Sequence, residues 1–157
     1  MPLHIGLISD THGLLRPQVH TALQGVELIL HAGDVGGEEI LAELALIAPV
    51  RAVAGNCDDP RSAGLTLSLD FDVDGVSVHV SHGHELGVPK PAALFDTYAA
   101  DVIVYGHTHR PLVARRGERL VVNPGAAGPR RFDLRPSVAR LTLSPTSRDV
   151  DIVAIDT

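Results

Sequence analysis

The sequence predicts an α/β fold with two β-sheets, and three observations carry that expectation. Short apolar stretches, each running into a glycine and a polar residue, recur through the first half of the chain. An amphipathic helical stretch separates two of them, as in a βαβ unit with parallel strands. Beyond residue 65 the pattern changes to alternating segments joined by turn residues, which calls for antiparallel pairing and a second sheet.

In order, residues 3–9 (Leu-His-Ile-Gly-Leu-Ile-Ser) read as a buried strand feeding a loop at Asp10. Residues 27–32 and 50–54 repeat this, ending in Gly33-Asp34 and Gly55-Asn56. Between them, residues 37–48 place Ile40, Leu41, Leu44 and Ile47 at helical spacing among Glu38, Glu39 and Glu43, which predicts a crossover helix. Residues 66–73 alternate, Asp74-Gly75 is a hairpin turn signal, and 76–80 alternate again before Ser81-His82-Gly83-His84. Residues 91–100 read as a helix and 101–105 as a buried strand leading into Gly106-His107-Thr108-His109. Further β-type segments fall near 112–114, 120–122, 138–143 and 150–155.

The 157 residues, with neither a repeat nor a long linker, predict a single domain spanning 1–157. A hydrophobic content of 45% without an extended apolar run excludes a membrane span. The N-terminus has no secretory pattern, so a cytoplasmic location is the expectation. Cys57 is the only cysteine, which rules out an intrachain disulfide and a thiolate-based metal framework. Net charge is −6, with 4 Lys/Arg against 13 Asp/Glu in residues 1–100 and 9 against 6 in 101–157. The arginine-rich final third has no concentrated basic stripe, so no nucleic-acid patch is expected; one or two arginines could steer an anionic substrate.

The chemistry lies where the apolar segments end. Asp10 and His12, Asp34, Asn56, His82, and His107 with His109 each follow a strand, usually beside a glycine. Ligands of open α/β sheets gather beyond the carboxyl ends of strands, where loops aim side chains into one crevice. Taken singly, each block has a plain explanation: Asp10 as a cap, Gly33-Asp34 as a turn, Asn56 and Asp58 as loop residues, His107 and His109 as a surface pair. Their joint order favours a metal site. Carboxylate, imidazole and amide donors suit Mn²⁺, Fe²⁺, Co²⁺, Ni²⁺ or Zn²⁺, and four histidines speak against a pure Mg²⁺ or Ca²⁺ site. Seven donors exceed the need of one ion, so two ions with a bridging carboxylate, Asp34, are expected. Such a pair holds phosphate oxygens and turns water into hydroxide, which matches phosphate-ester hydrolysis. His4, His20, His31 and His79 read as packing or surface residues; His84, two beyond His82, is an alternative ligand. Asn123-Pro124-Gly125 reads as a structural turn that could border the site.

In order and spacing, Asp10 to His109 resembles the calcineurin-like metallophosphoesterase superfamily, with its motifs D-x-H, G-D, G-N-H-[DE], an isolated H, and G-H-x-H. The short chain, Gly55-Asn56-Cys57-Asp58 and the late Asn-Pro-Gly turn resemble its small prokaryotic phosphodiesterase branch. The resemblance implies a four-layer αββα sandwich of two mixed β-sheets flanked by helices. It implies that Asp10, His12 and His109 bind one divalent ion, that Asn56, His82 and His107 bind another, with Asp34 shared, and that manganese is the first candidate. It also brings Asp34, Asn56, Cys57, Asp58 and His82 into the catalytic set. One departure stands out: Cys57 occupies the place where many members have a histidine that contacts phosphate and protonates the leaving group. A thiol serves that role poorly, which favours small phosphodiesters or activated aryl esters as substrates. A phosphomonoesterase or protein phosphatase, and a non-catalytic phosphoesterase-like scaffold, are the alternatives. Pairing of exposed β-segments would make the chain a homo-oligomer.

Overall fold

The computed structural model describes residues 2–59, 61, 65–131 and 133–156. In chain order its elements are β1 (Leu3–Ile8), α1 (Gln18–Ala22), β2 (Leu28–His31), α2 (Glu38–Leu44), β3 (Val50–Val53), β4 (Leu65–Thr66), β5 (Ser68–Val73) and β6 (Val76–Ser81). A 3-10 turn (His84–Leu86), α3 (Pro91–Thr97), β7 (Val102–Val104), β8 (Leu112–Arg116), β9 (Arg119–Asn123), β10 (Ser137–Ser144) and β11 (Ser147–Ala154) follow.

One sheet has the order β11-β10-β1-β2-β3-β4 and the other β5-β6-β7-β9-β8. β1, β2, β3 and β4 pair parallel, whereas β10 runs antiparallel to β1 and to β11. In the second sheet β6, β7 and β9 are parallel, with antiparallel β5 and β8 at the edges. Both sheets are therefore mixed.

Strand alternation divides the apolar residues between layers. Ile5, Leu7, Leu30 and Val53 of the first sheet meet Val78, Val80, Val102, Val104, Leu120 and Val122 of the second in the central core. On the first sheet's other face, Ile8, Ile29 and Val138 pack against Val19 and Leu23 at α1 and Ile40 and Leu44 of α2. On the second sheet's outer face, Ile103 and Val121 take Leu94 and Phe95 of α3. The result is the αββα sandwich. Covering on both faces explains why the parallel strands read as continuous apolar runs. Truncating a fully buried core residue such as Leu30 costs about 2–5 kcal/mol at sites of this kind.

Three expected elements differ. The stretch 66–73 is not one strand: Thr66 pairs with Val53 in the first sheet, while β5 pairs with β6 in the second. The chain crosses between sheets at Leu67, which is 65% exposed. The helix expected over 37–48 is regular only for Glu38–Leu44, because Pro49 disfavours helical backbone at Ala48 and the chain must turn into β3. The helix expected over 91–100 ends at Thr97, where Tyr98 turns extended and lays its ring 3.7 Å from that of His79. No helix among the described residues is long and apolar enough to cross a membrane.

Candidate metal centre

Asp10, Asp34, Asn56, His82 and His107 stand just beyond the carboxyl ends of β1, β2, β3, β6 and β7. At most of these ends the backbone turns through the left-handed region: φ is 55° at Asp10, 48° at His12, 55° at Asp34, 71° at His107 and 65° at His109. Residues with a Cβ avoid that region at a cost of about 1–2 kcal/mol. The other non-glycine residue with positive φ among those described is Asp74, in the hairpin turn. Strain of this kind collects at functional sites, where the surrounding structure holds it.

The left-handed turns bring the side chains together. Asp10 Oδ1 lies 3.5 Å from His12 Nε2, 3.8 Å from His82 Nε2 and 3.3 Å from His109 Nε2. Asp34 Oδ2 lies 3.6 Å from His12 Nε2 and 3.2 Å from His82 Nε2. Two groups that suit a cation result, Asp10-His12-His109 and Asp10-Asp34-His82, and a third joins Cys57 to His12 and Asp34. Asp10 Oδ1, His12 Nε2 and His82 Nε2 are buried and lack a hydrogen-bond partner among the described residues, which is rare for buried polar atoms. With metal–ligand bonds of about 2.1 Å, two donors on one ion stand about 3.0 Å apart at a right angle and about 3.4 Å apart at a tetrahedral one. The observed separations run from 3.2 to 3.8 Å, around the tetrahedral value and above the right-angle one. The donors present therefore fit divalent transition-metal ions.

Groups behind the donors fix their aim. Asp10 Oδ2 accepts from Ser9 Oγ at 2.6 Å and from the His107 N–H at 3.2 Å, leaving Oδ1 for the centre. His82 Nδ1 lies 2.8 Å from the Ala32 carbonyl, so it carries the proton and Nε2 offers its lone pair inward. The Cys57 N–H donates to Asp34 Oδ1 at 2.8 Å. Thr11 Oγ1 donates to the Val35 carbonyl at 2.7 Å and sits 3.0 Å from His31 Nε2, while His31 Nδ1 accepts the Gly33 N–H. Asn123 Nδ2 donates to the Gly106 carbonyl and Thr108 Oγ1 at 3.1 and 3.0 Å, tying down the loop that carries His107 and His109. Gly55 and Gly106 leave no room for a side chain. A Cβ on Gly55 would stand 2.1 Å from Asp34 Oδ1, and one on Gly106 would stand 2.0 Å from Ser9 Oγ.

The electrostatics follow from this packing. Burial opposes ionisation of Asp10, but the close approach of the His109 and His12 imidazoles and the charge of His82 outweigh it and hold the carboxyl well below its usual range. Asp34 is also lowered, burial being overcome by His82 and the Cys57 N–H. His12 is raised, first by its contact with Asp10. His82 is raised because Asp34 and Asp10 overcome its burial. His107 is lowered by burial and by the charge on His82. Burial and the neighbouring Asp34 push the Cys57 thiol up, which keeps it protonated. A smaller influence is the charge of Arg131, which acts to lower both His12 and Cys57.

Of the residues singled out in the sequence, Asp10, His12, Asp34, His82 and His109 converge directly. His107 stands edge-on to His82 with ring centroids 5.1 Å apart. Asn56 is exposed, its amide 3.7 Å from Cys57 Sγ. His82 rather than His84 faces the carboxylates; the His84 ring lies 5.4 Å from that of His82, and its Nδ1 is buried without a partner among the described residues. Asp58, expected in the catalytic set, stands at the base of the ligand loops. Its carboxylate accepts the N–H groups of Val35 at 2.9 Å, Gly36 at 3.1 Å and Gly55 at 3.0 Å, so it braces two ligand loops against each other. Sequence reasoning missed the supporting roles of Ser9, Thr11 and His31, and the approach of Cys57 Sγ to His12 and Asp34. Only the turn at Asn123 carried a signal. Three other arginines serve structure: Arg135 pairs with Asp156 at 2.8 Å, Arg116 with Asp96 at 2.7 Å, and Arg119 donates to the carbonyls of Phe95, Tyr98 and Ala100.

Comparison with known proteins gives a consistent result. The calcineurin-like phosphoesterase superfamily domain matches residues 3–146. A probable metallophosphoesterase of Methanothermobacter thermautotrophicus is 35% identical over 158 residues, covering 95% of this chain and 91% of the relative. The phosphodiesterase YfcE of Escherichia coli K12 is 36% identical over 143 residues, covering 75% and 76%. Among solved structures, Vacuolar Protein Sorting 29 of Cryptosporidium parvum superposes with a TM-score of 0.81 at 21% identity over 99% of each chain, a likeness of fold.

Proposed function

The chain belongs to the calcineurin-like phosphoesterase superfamily, and from that premise we propose that it is a two-metal phosphodiesterase acting on small phosphodiesters. The observation that carries the reading is the unpartnered, fully buried Asp10 Oδ1 facing three imidazole nitrogens, since only a cation or protons on the rings balance that arrangement.

Asp10, His12 and His109 would hold one divalent ion, manganese foremost, and Asn56, His82 and His107 the other, with Asp34 between them. The contacts of Asp34 Oδ2 with both His12 and His82 support that shared place. Bound there, the ions would neutralise the phosphate and lower the pKa of a water molecule. The chain's own residues then do the following. Ser9 and the His107 N–H keep one oxygen of Asp10 aimed inward. The Ala32 carbonyl fixes the His82 tautomer. The Asp58 brace keeps the loops of Asp34 and Asn56 in register.

Cys57 supports the preference for diesters. Its thiol is held protonated, yet even so it is a weaker acid than an imidazolium, and good transfer to a leaving oxygen needs a matched pKa. Diesters with aryl or otherwise stable leaving groups need that proton least, and small esters of this kind are the proposed substrates.

Metal analysis of the purified protein with bis-p-nitrophenyl phosphate hydrolysis tests the proposal. Mn²⁺, Co²⁺ or Ni²⁺ is expected to support turnover, and Asp34→Ala to lower it at least about a hundredfold, as removal of a central charge-stabilising group does. Full activity in Asp34→Ala would refute the shared ligand. Neither bound metal nor turnover with any of these ions would leave a non-catalytic scaffold as the reading.

A further inference from the structure

Beside the candidate metal centre lies a cavity of about 270 Å³ that the proposed chemistry does not use. Its described walls are Val35, Leu41 and Leu65 on the apolar side, Glu38 and Asp59 on the charged side, and Cys57. Cys57 is the shared boundary: it lines the cavity, and its Sγ belongs to the same close group as His12 and Asp34. A group bound at the centre therefore has this cavity as its neighbour on the Cys57 side. The volume falls just short of the roughly 300–1,000 Å³ of sites that enclose a whole ligand, a size suited to one part of a substrate.

The wall chemistry specifies that part. Leu41 and Leu65 are half-buried and line the cavity, and cover of exposed apolar surface there by an apolar group is favourable. Glu38 and Asp59 are exposed carboxylates at the rim, and no lysine or arginine is among the described lining residues. The carboxylate of Asp58, also at the wall, is occupied by three backbone N–H groups. A negatively charged substituent would meet unbalanced carboxylates there.

Resting on the phosphodiesterase reading, we propose that this cavity receives one ester arm of the diester and selects an apolar arm without negative charge. It disfavours arms that carry carboxylate or further phosphate.

Symmetric diesters test this, because either arm is then the same. Wild type is compared on bis-p-nitrophenyl phosphate and bis(4-carboxyphenyl) phosphate, and the ratio of their kcat/KM values is the readout. In E38K/D59K the preference for the nitrophenyl diester is expected to fall about tenfold, as like-charge repulsion becomes attraction. A second variant, Leu41→Trp, fills the cavity. It is expected to lower kcat/KM for bis-p-nitrophenyl phosphate about tenfold relative to methyl p-nitrophenyl phosphate. Using ratios cancels losses of metal or folded protein common to both substrates. Unchanged ratios in both variants would overturn the subsite while leaving the phosphodiesterase reading intact. Absence of diester hydrolysis by wild type with any of the ions would overturn both.

Discussion

Replacing Asp58 by alanine separates a brace from a reacting group. The carboxylate accepts three backbone N–H groups, two of them, from Val35 and Gly55, in part-buried surroundings and one, from Gly36, in solvent. Hydrogen bonds to a charged acceptor contribute about 1.5–3 kcal/mol each when partly shielded. Water replaces the Gly36 bond at little cost. Two bonds at the lower end of that range give a loss of about 3 kcal/mol for Asp58→Ala. For a chain of this size that corresponds to a melting temperature lower by about 6–12 °C. Asp58→Asn keeps an acceptor but turns its amide toward a donor, so about half the loss is expected. Urea denaturation of the metal-free protein measures this without involving catalysis. A metal-free Asp58→Ala within about 0.5 kcal/mol of wild type, together with collapsed turnover, would refute the brace and return Asp58 to the reacting groups.

Further outcomes follow from the same packing. Burial pushes His31 down to about 4, so the folded protein keeps it neutral where the unfolded chain, at about 6.5, does not. Its contribution, about 3 kcal/mol by linkage, is complete above pH 6.5 and lost as pH falls through 4; NMR titration of its ring protons should show a midpoint near 4, and one above 6 would contradict the assignment. Removing the hydroxyl that holds Asp10 Oδ2, in Ser9→Ala, should weaken Mn²⁺ binding by about 10–100-fold, as measured by calorimetry. An unchanged affinity would show that Ser9 does not aim the carboxylate.

What the sequence made legible is tied to periodicity and to strand ends. The apolar runs at 28–31 and 102–104 announce strands covered on both faces, and the polar residues after them announce the site. Thr66 and Ser68 illustrate the limit. Both sit in alternating sequence, yet they belong to different sheets, because a local pattern records which face is buried and not which strand is adjacent. The backbone contacts of Asp58 and the roles of Ser9 and Thr11 were illegible for a related reason. Each acts on a backbone or side-chain atom brought near by the fold, such as the Val35 N–H for Asp58, and no spacing along the chain encodes such a partner. Helix ends were obscured likewise: where α3 ends, Tyr98 stacks on His79, a tertiary contact that no local spacing encodes.

The left-handed turns at Asp10, His12, Asp34, His107 and His109 have a consequence for engineering. Glycine adopts that backbone freely, so stability alone would favour glycine at all five positions. Keeping aspartate and histidine there costs roughly 1 kcal/mol apiece, which is comparable in sum to the low end of a typical domain's net stability of about 5–15 kcal/mol. A redesign driven by stability alone would therefore be drawn to erase these side chains first, gaining a hardier protein with an empty crevice. Thermostabilising this chain without losing its chemistry means freezing those five positions and seeking gains elsewhere.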